Sequence, residues 1–196
     1  MVNPRRIESR TFKDFLELVR KNPGKYNHAS AGSGTSHPLA GELFKQQTST
    51  FITHIPYRGA GPALQDLISG NVDMMFDGLG SSAAHIKGGR IKALMVSGAK
   101  RNQAFPDVPS AAEAGLPDYT VTTWYGLWAL KGTRADAQAR VVEEVRKAVT
   151  SDELKAIWAN QGAESPNLSQ QQFASFVSAE AKRWAGVVKA SGARLE

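Results

Sequence analysis

Glycine and hydroxyl residues cluster at three points in the first half of the chain. Each cluster follows a short apolar run and precedes a helical one. The clusters are Ser30, Ala31, Gly32, Ser33, Gly34, Thr35 and Ser36; then Tyr57, Arg58, Gly59, Ala60 and Gly61; then Asp77, Gly78, Leu79, Gly80, Ser81 and Ser82. A loop of this kind entering a helix presents backbone N–H groups that have no partner within the helix, at the end where the helix dipole is positive. Such an edge attracts carboxylates. In an open sheet of alternating strands and helices these loops gather at the carboxyl ends of the strands, where ligands bind. The pattern points to a receptor for a small anionic molecule.

Within the first cluster, the amides from Ala31 to Thr35 and the hydroxyls of Ser33, Thr35 and Ser36 form a candidate anion nest. The competing reading is a tight turn that merely needs glycine. Gly32 and Gly34 lack the third glycine of a dinucleotide-binding fingerprint. In the second cluster, Gly59 and Gly61 permit close backbone approach and Arg58 adds positive charge; a solvated arginine beside a turn is the alternative. Asp77 is placed to accept from a ligand hydroxyl or amine, or to cap its helix. Further along, Trp124, Tyr125 and Trp128 alternate, so the tryptophans share one face, expected to be buried, and Tyr125 takes the other as a cleft candidate.

These side chains must be positioned by a regular alternation. Helical spacing of Phe12, Phe15, Leu16 and Val19 predicts a first amphipathic helix over 11–22. Strands are expected at 26–30, 51–56, 72–76 and 91–97, with helices at 39–47, 62–69 and 82–87 between them. Right-handed crossovers then give a small parallel sheet of four strands. Pro106, Pro109, Gly115 and Pro117 mark a boundary, with a short helix expected at 110–114. A β-rich segment follows over 120–130, then helices at 135–149 and 152–160. Ser169 and Gln172 make a capping-box start for a last helix burying Phe173, Phe176, Val177, Trp184, Val187 and Val188 on one face. The second half thus offers apolar helices without enough strands of its own to cover them.

The chain has 196 residues, 41% of them apolar and 21% charged, which is ordinary for a soluble globular protein. Its formal charge of +6 is dispersed among acidic residues, and the densest basic spots, Arg5 with Arg6 and Lys100 with Arg101, are too short for a nucleic-acid tract. Nucleic acid is not an expected partner. There is no cysteine, so disulfides and thiol chemistry are excluded. No run is long enough to span a bilayer, and the first residues show no apolar signal region, so direct membrane insertion is not expected. His28, His37, His54 and His85 lack metal-ligand spacing, and neither a metal nor a cofactor is expected. No Gly-x-Ser-x-Gly elbow exists; an α/β-class enzyme such as a hydrolase, with Ser36, His37 or Asp77 as catalytic groups, remains the alternative to binding without chemistry.

Over 26–130 the chain closely resembles the Bug/TctC family of tripartite-tricarboxylate-type solute-binding receptors. The resemblance is carried by Asn22-Pro23-Gly24-Lys25, Ala29-Ser30-Ala31-Gly32-Ser33-Gly34-Thr35-Ser36, Leu39-Ala40-Gly41-Glu42-Leu43-Phe44, His54-Ile55-Pro56-Tyr57-Arg58-Gly59, Pro62-Ala63-Leu64 and Val72-Asp73-Met74-Met75-Phe76-Asp77. It continues through Phe105-Pro106-Asp107-Val108-Pro109-Ser110, Glu113-Ala114-Gly115-Leu116-Pro117 and Trp124-Tyr125-Gly126. The resemblance implies an α/β, periplasmic-binding-protein-like (type II-like) lobe, with a parallel-dominated sheet, flanking helices and a C-terminal helical portion of an incomplete second lobe. The division it implies is a substrate-binding lobe over 1–118, then a crossing strand and helices over 119–196 that belong to the family's first domain, most of which is missing. It further implies an extracytoplasmic, periplasmic receptor that closes on a small carboxylate and delivers it to membrane transporter subunits. As given, without a signal peptide, the chain is expected to stay in the cytoplasm. With part of the fold missing, self-association into a homo-oligomer is expected, and a fragment that oligomerises without binding ligand is the third reading.

Overall fold

The computed structural model describes residues 1–32, 35–164 and 168–191. The first helix, α1 (Phe12–Lys21), starts at a capping box in which Thr11 and Asp14 satisfy each other's backbone N–H groups, and it buries Phe12, Phe15 and Val19. Three strand-helix units follow: β1 (Asn27–Ser30) and α2 (Ser36–Thr48), β2 (Thr53–Pro56) and α3 (Ala60–Ser69), β3 (Met74–Met75) and α4 (Leu79–Lys87). The helices α2, α3 and α4 begin two or three residues before the apolar periodicity does. Pro38 and Pro62 sit in the first turns of α2 and α3, where a missing N–H costs nothing.

The strands pair in the order β2-β1-β3, all parallel, with His28 opposite His54 and Met74. Alternation sorts the faces. Met74 joins Phe12, Phe15, Val19, Phe44 and Tyr119 on the α1 and α2 side, whereas Ala29 and Met75 join Ala63, Leu64 and Leu67 of α3. Both faces of the sheet are therefore covered, as parallel sheets require. Since β1 feeds α2 on one face while β3 feeds α4, packed beside α3, on the other, their adjacent ends form a topological switch point.

The expected fourth strand does not form. Val2 bridges Met74 and Lys92 in antiparallel fashion, exchanging N–H···O bonds of 2.8 and 2.9 Å with Lys92. An N-terminal residue thus occupies the flank of β3 that 91–97 was expected to take, and 91–97 keeps only isolated bridges, at Lys92 and at Val96 to Ser110. The helix expected at 110–114 is a series of turns. Ser110 and Glu113 still exchange capping-box bonds of 2.8 and 3.3 Å, but Gly115, at φ +87°, ends the turn.

Residues 120–130 form no strand. Their backbone link to the first half is the bond from the Val121 N–H to the Ser97 carbonyl, 3.2 Å, and an extended segment without a neighbour has no ladder. Beyond it come α5 (Ala135–Thr150), α6 (Asp152–Gln161) and α7 (Gln170–Ser191), the last opened by the reciprocal Ser169 and Gln172 bonds. Among the described residues, every fully buried one lies at or before Tyr119. The expected burial along α7 is therefore not reached: Phe173, Phe176, Val177, Trp184 and Val187 are half-buried, and Val188 is exposed. Nor are both tryptophans buried. Trp124 is half-buried against Phe173 and Phe176, while Trp128 is 66% exposed.

Candidate functional site

The three loops meet at the carboxyl ends of the strands and share one property. The N-caps of α2, α3 and α4 are Thr35, Gly59 and Gly78, and none accepts a helix N–H through a side chain. Side chains close the starts of α1, α6 and α7, through Thr11, Ser151 and Ser169, whereas α5, with Arg134 at its N-cap and far from the strand ends, has no side-chain cap. Where the first helical N–H groups are left open at three converging helices, positive dipole ends accumulate without a resident acceptor.

The free amides are not the ones expected. The Ala31 N–H donates to His37 Nδ1 at 3.3 Å, the Gly32 N–H to Ser30 Oγ at 3.3 Å, and the Thr35 N–H to the Gly32 carbonyl at 3.2 Å. The nest expected at 31–35 is thus tied to the protein at these three amides; Ser33 and Gly34 lie outside the described residues. The open donors sit one step on. The N–H groups of Ser36, His37, Ala60, Gly61, Leu79 and Gly80 donate to no side chain and to no carbonyl outside their own helices among the described residues. In front of Gly59, Gly61 and Gly80 an added Cβ would meet nothing within 4 Å among the described residues.

Gly32, at φ +120°, holds the first loop against the second, for a Cβ there would stand 3.2 Å from the Tyr57 carbonyl. Tyr57 itself is committed elsewhere. Its hydroxyl donates to Asp66 Oδ2 at 2.7 Å, and burial together with that carboxylate pushes its pKa up to about 12. Arg58 is exposed and makes no ion pair among the described residues, which leaves its charge available at the rim. Tyr125 is 93% exposed and makes no bond or ring contact among the described residues.

Asp77 is not the N-cap of α4, a place taken by Gly78. Its side chain has no exposed surface. Oδ2 accepts from Ser81 Oγ at 2.7 Å, and Oδ1 lies 3.4 Å from His37 Nε2, too poorly aligned for a hydrogen bond. With no exposed side-chain surface, the Asp77 carboxylate links the β3–α4 loop to the β1–α2 loop. His37, whose side chain is 12% exposed, is held below the usual histidine range by burial, opposed by the Asp77 charge. His37 Nδ1 accepts from the Ala31 N–H and Nε2 faces Asp77, so neither nitrogen bonds Ser36, whose hydroxyl instead faces Thr123 Oγ1 at 3.3 Å. No hydrogen bond joins Ser36 to His37 as nucleophile and base among the described residues.

Thr123 was not legible as a site residue. Its hydroxyl meets Ser36 and lies 3.8 Å from a Cβ position at Gly78, so it stands where α2 and α4 begin. Its neighbourhood in sequence is aromatic and gives no hint of this. Cavities of about 400 and 370 Å³ lie elsewhere, beside Gln138 and Arg146 of α5 and between Phe12 of α1 and Pro109, remote from the strand ends.

The chain is a doubly wound α/β lobe whose switch point carries three helix starts without side-chain caps. Residues 1–193 match the model of the tripartite tricarboxylate transporter family receptor, and the chain belongs to that family. It is 36% identical over 185 residues to the UPF0065 protein in the tcbD-tcbE intergenic region of Pseudomonas sp. strain P51, covering 94% of this chain and 55% of that protein. Among solved structures it is similar to Rhodopseudomonas palustris Rpa4515 with adipate, at 31% identity and a TM-score of 0.90, covering 97% of this chain and 64% of that one. It is likewise similar to MatC (Rpa3494) of the same organism with bound malate, at 31% identity and a TM-score of 0.83, covering 91% and 62%. The chain spans about half the length of the curated relative and under two thirds of these solved chains. The α/β, periplasmic-binding-protein-like architecture expected from the sequence is shared with these structures. No helix among the described residues is long and apolar enough to cross a membrane.

Proposed function

We propose that this chain is the carboxylate-binding portion of an extracytoplasmic solute receptor that captures a small organic acid and passes it to a tripartite-tricarboxylate-type membrane transporter. The observation that carries the reading is the set of three helix starts at the switch point with no side-chain cap. The adipate and malate in the two similar structures support a di-acid of that size. One carboxylate lies against the N–H groups of Ser36, His37, Gly61 and Gly80, and Arg58 and Thr123 border it. Tyr57, Gly32 and Asp77 shape the loops. No chemistry is performed on the ligand. The second lobe closes over it, excluding water from the pocket, and such a receptor works in the periplasm. Isothermal calorimetry with adipate, malate, citrate, benzoate and a neutral diol as control tests this; heat from the acids alone is expected, and equal response to the diol refutes it.

A second reading concerns assembly. Leu127, Trp128 and Leu130 are 70, 66 and 87% exposed, beside half-buried Phe173 and Phe176. A patch of this kind on an isolated chain favours association with another copy, so a homo-oligomer is proposed in solution. Light scattering on a sizing column tests it, and a monomer at high concentration counts against it.

A further inference from the structure

The first loop poses a question that the receptor reading leaves open: why the Ala31 amide, at the mouth of an anion site, is spent on an imidazole. His37 Nδ1 accepts that N–H at 3.3 Å, so Nδ1 carries the lone pair and the ring proton sits on Nε2, facing Asp77 Oδ1 at 3.4 Å. The Asp77 carboxylate is sealed from solvent, and this oxygen has no hydrogen-bond partner among the described residues. With His37 neutral, the negative charge of Asp77 lies directly behind the helix starts of α2 and α4, opposed only by the Met1 amino group. That charge opposes an incoming anion.

We propose that His37 is a ligand-binding residue that takes up a proton from solvent when an organic acid binds, releasing the Ala31 amide to the ligand carboxylate in the same step. The inference rests on the carboxylate-receptor reading. The balance is simple: a solvent proton adds to Nδ1, the Ala31 N–H···Nδ1 bond breaks, and two donors 3.3 Å apart then face one carboxylate. Imidazolium also compensates Asp77 across Nε2–H, removing the opposing charge. No other change of charge is needed nearby. Around His37, Asp77 faces it from the β3–α4 loop, and Ser81 of α4 donates to Asp77. On α2 itself, Glu42 and Lys45 pair with each other at 2.5 Å and act on His54 rather than on His37. On α7, which packs against α2, Glu180 and Arg183 pair at 3.3 Å. The Met1 amino group interacts with Asp77 and its pKa is pushed down to about 6 by burial, so it is the other group that titrates in this range, and comparison with His37→Gln separates its contribution.

Because the ligand favours the protonated ring, the proton must favour the ligand equally. The free chain holds His37 below its usual range, and the bound anion raises it. In the window between, binding takes up as much as one proton and the association constant rises by up to about tenfold for each pH unit of acidification. Calorimetry with adipate or malate at about pH 6, in MES and in bis-Tris, reads the uptake from the difference in heat. The His37→Gln variant, whose amide can accept from Ala31 but cannot charge, is expected to bind about tenfold more weakly at that pH and to show no uptake.

Carboxylate binding by the parent chain without net proton uptake between about pH 5.5 and 7 overturns this inference and leaves the receptor reading standing. Failure to bind any carboxylate overturns both. A ligand-free measurement tests the starting state on its own: ¹⁵N shifts of the His37 ring at about pH 7.5 are expected to report the Nε2–H tautomer, and the Nδ1–H tautomer overturns the proposal. Uptake that persists in His37→Gln overturns it as well.

Discussion

Replacing His28 by leucine removes a buried ring that cannot be charged where it sits, and the effect is expected on the acid limb of stability. His28 is 0% exposed on the central strand, stacked on His54 at 4.9 Å and met edge-on by Phe76 at 5.3 Å. Neither of its ring nitrogens has a hydrogen-bond partner among the described residues. Burial, with smaller contributions from His54 and Lys45, pushes its pKa down to about 3. The unfolded chain, with a histidine near its ordinary value, binds the proton below about pH 6.5, whereas the native state refuses it until about pH 3. Stability from the neutral ring is thus complete above about pH 6.5 and drains away as pH falls through this window, at about 1.4 kcal/mol per unit. Between about pH 6.5 and 5 the parent chain is expected to lose about 2 kcal/mol that His28→Leu does not lose. His54, also held low by burial, is common to both chains and cancels in the difference. Near neutral pH the two are expected to be close, since losing ring stacking offsets the gain from removing two unpaired polar atoms. Urea unfolding followed by far-ultraviolet circular dichroism at about pH 7, 6 and 5 measures the gap. Parallel stability curves for the two chains refute the reasoning, because they mean the ring is reached by water or a partner.

Three further outcomes follow from the same geometry. Gly41→Ala should destabilise by about 1–2 kcal/mol, because the new Cβ would lie 2.5 Å from His28 Cε1 and overpacking outweighs the helix-propensity gain of about 1 kcal/mol; a more stable variant in urea contradicts this. Gly80→Ala has open space before it, so the α4 helix should gain up to about 1 kcal/mol while carboxylate binding weakens, and a variant that binds unchanged removes Gly80 from the site. Arg58→Ala should weaken adipate binding about two- to fivefold at low salt, with the difference shrinking at about 0.5 M salt; an effect independent of salt argues against a charge role.

Much of the architecture could be read from local pattern. The helix α1 begins at Thr11 because Thr11 and Asp14 close on each other within a single turn. The three loops before α2, α3 and α4 were visible because glycine occupies the N-cap or first turn of α3 and α4, where a helix ordinarily recruits serine, threonine or aspartate. The Bug/TctC resemblance rests on the same residues. Other features were hidden. Tied amides at Ala31 and Gly32 depend on side chains of Ser30 and His37 turning back onto the loop, and nothing in composition dictates that. Thr123 reaches Ser36 across 87 residues.

The sequence by itself determined the alternation of strand and helix, the apolar face of α1 and the glycine-bearing helix starts; periodicity, capping and backbone freedom act within a few residues. The tertiary structure alone decided that β1 lies between β2 and β3, that Val2 takes the flank where a fourth strand was expected, and that 120–130 stays unpaired. It alone brought His37 to Asp77, 3.4 Å away and on a different loop. Strand pairing and burial are contests between segments distant in the chain, settled by which of them reaches a shared edge and excludes water there, and no local spacing records who wins.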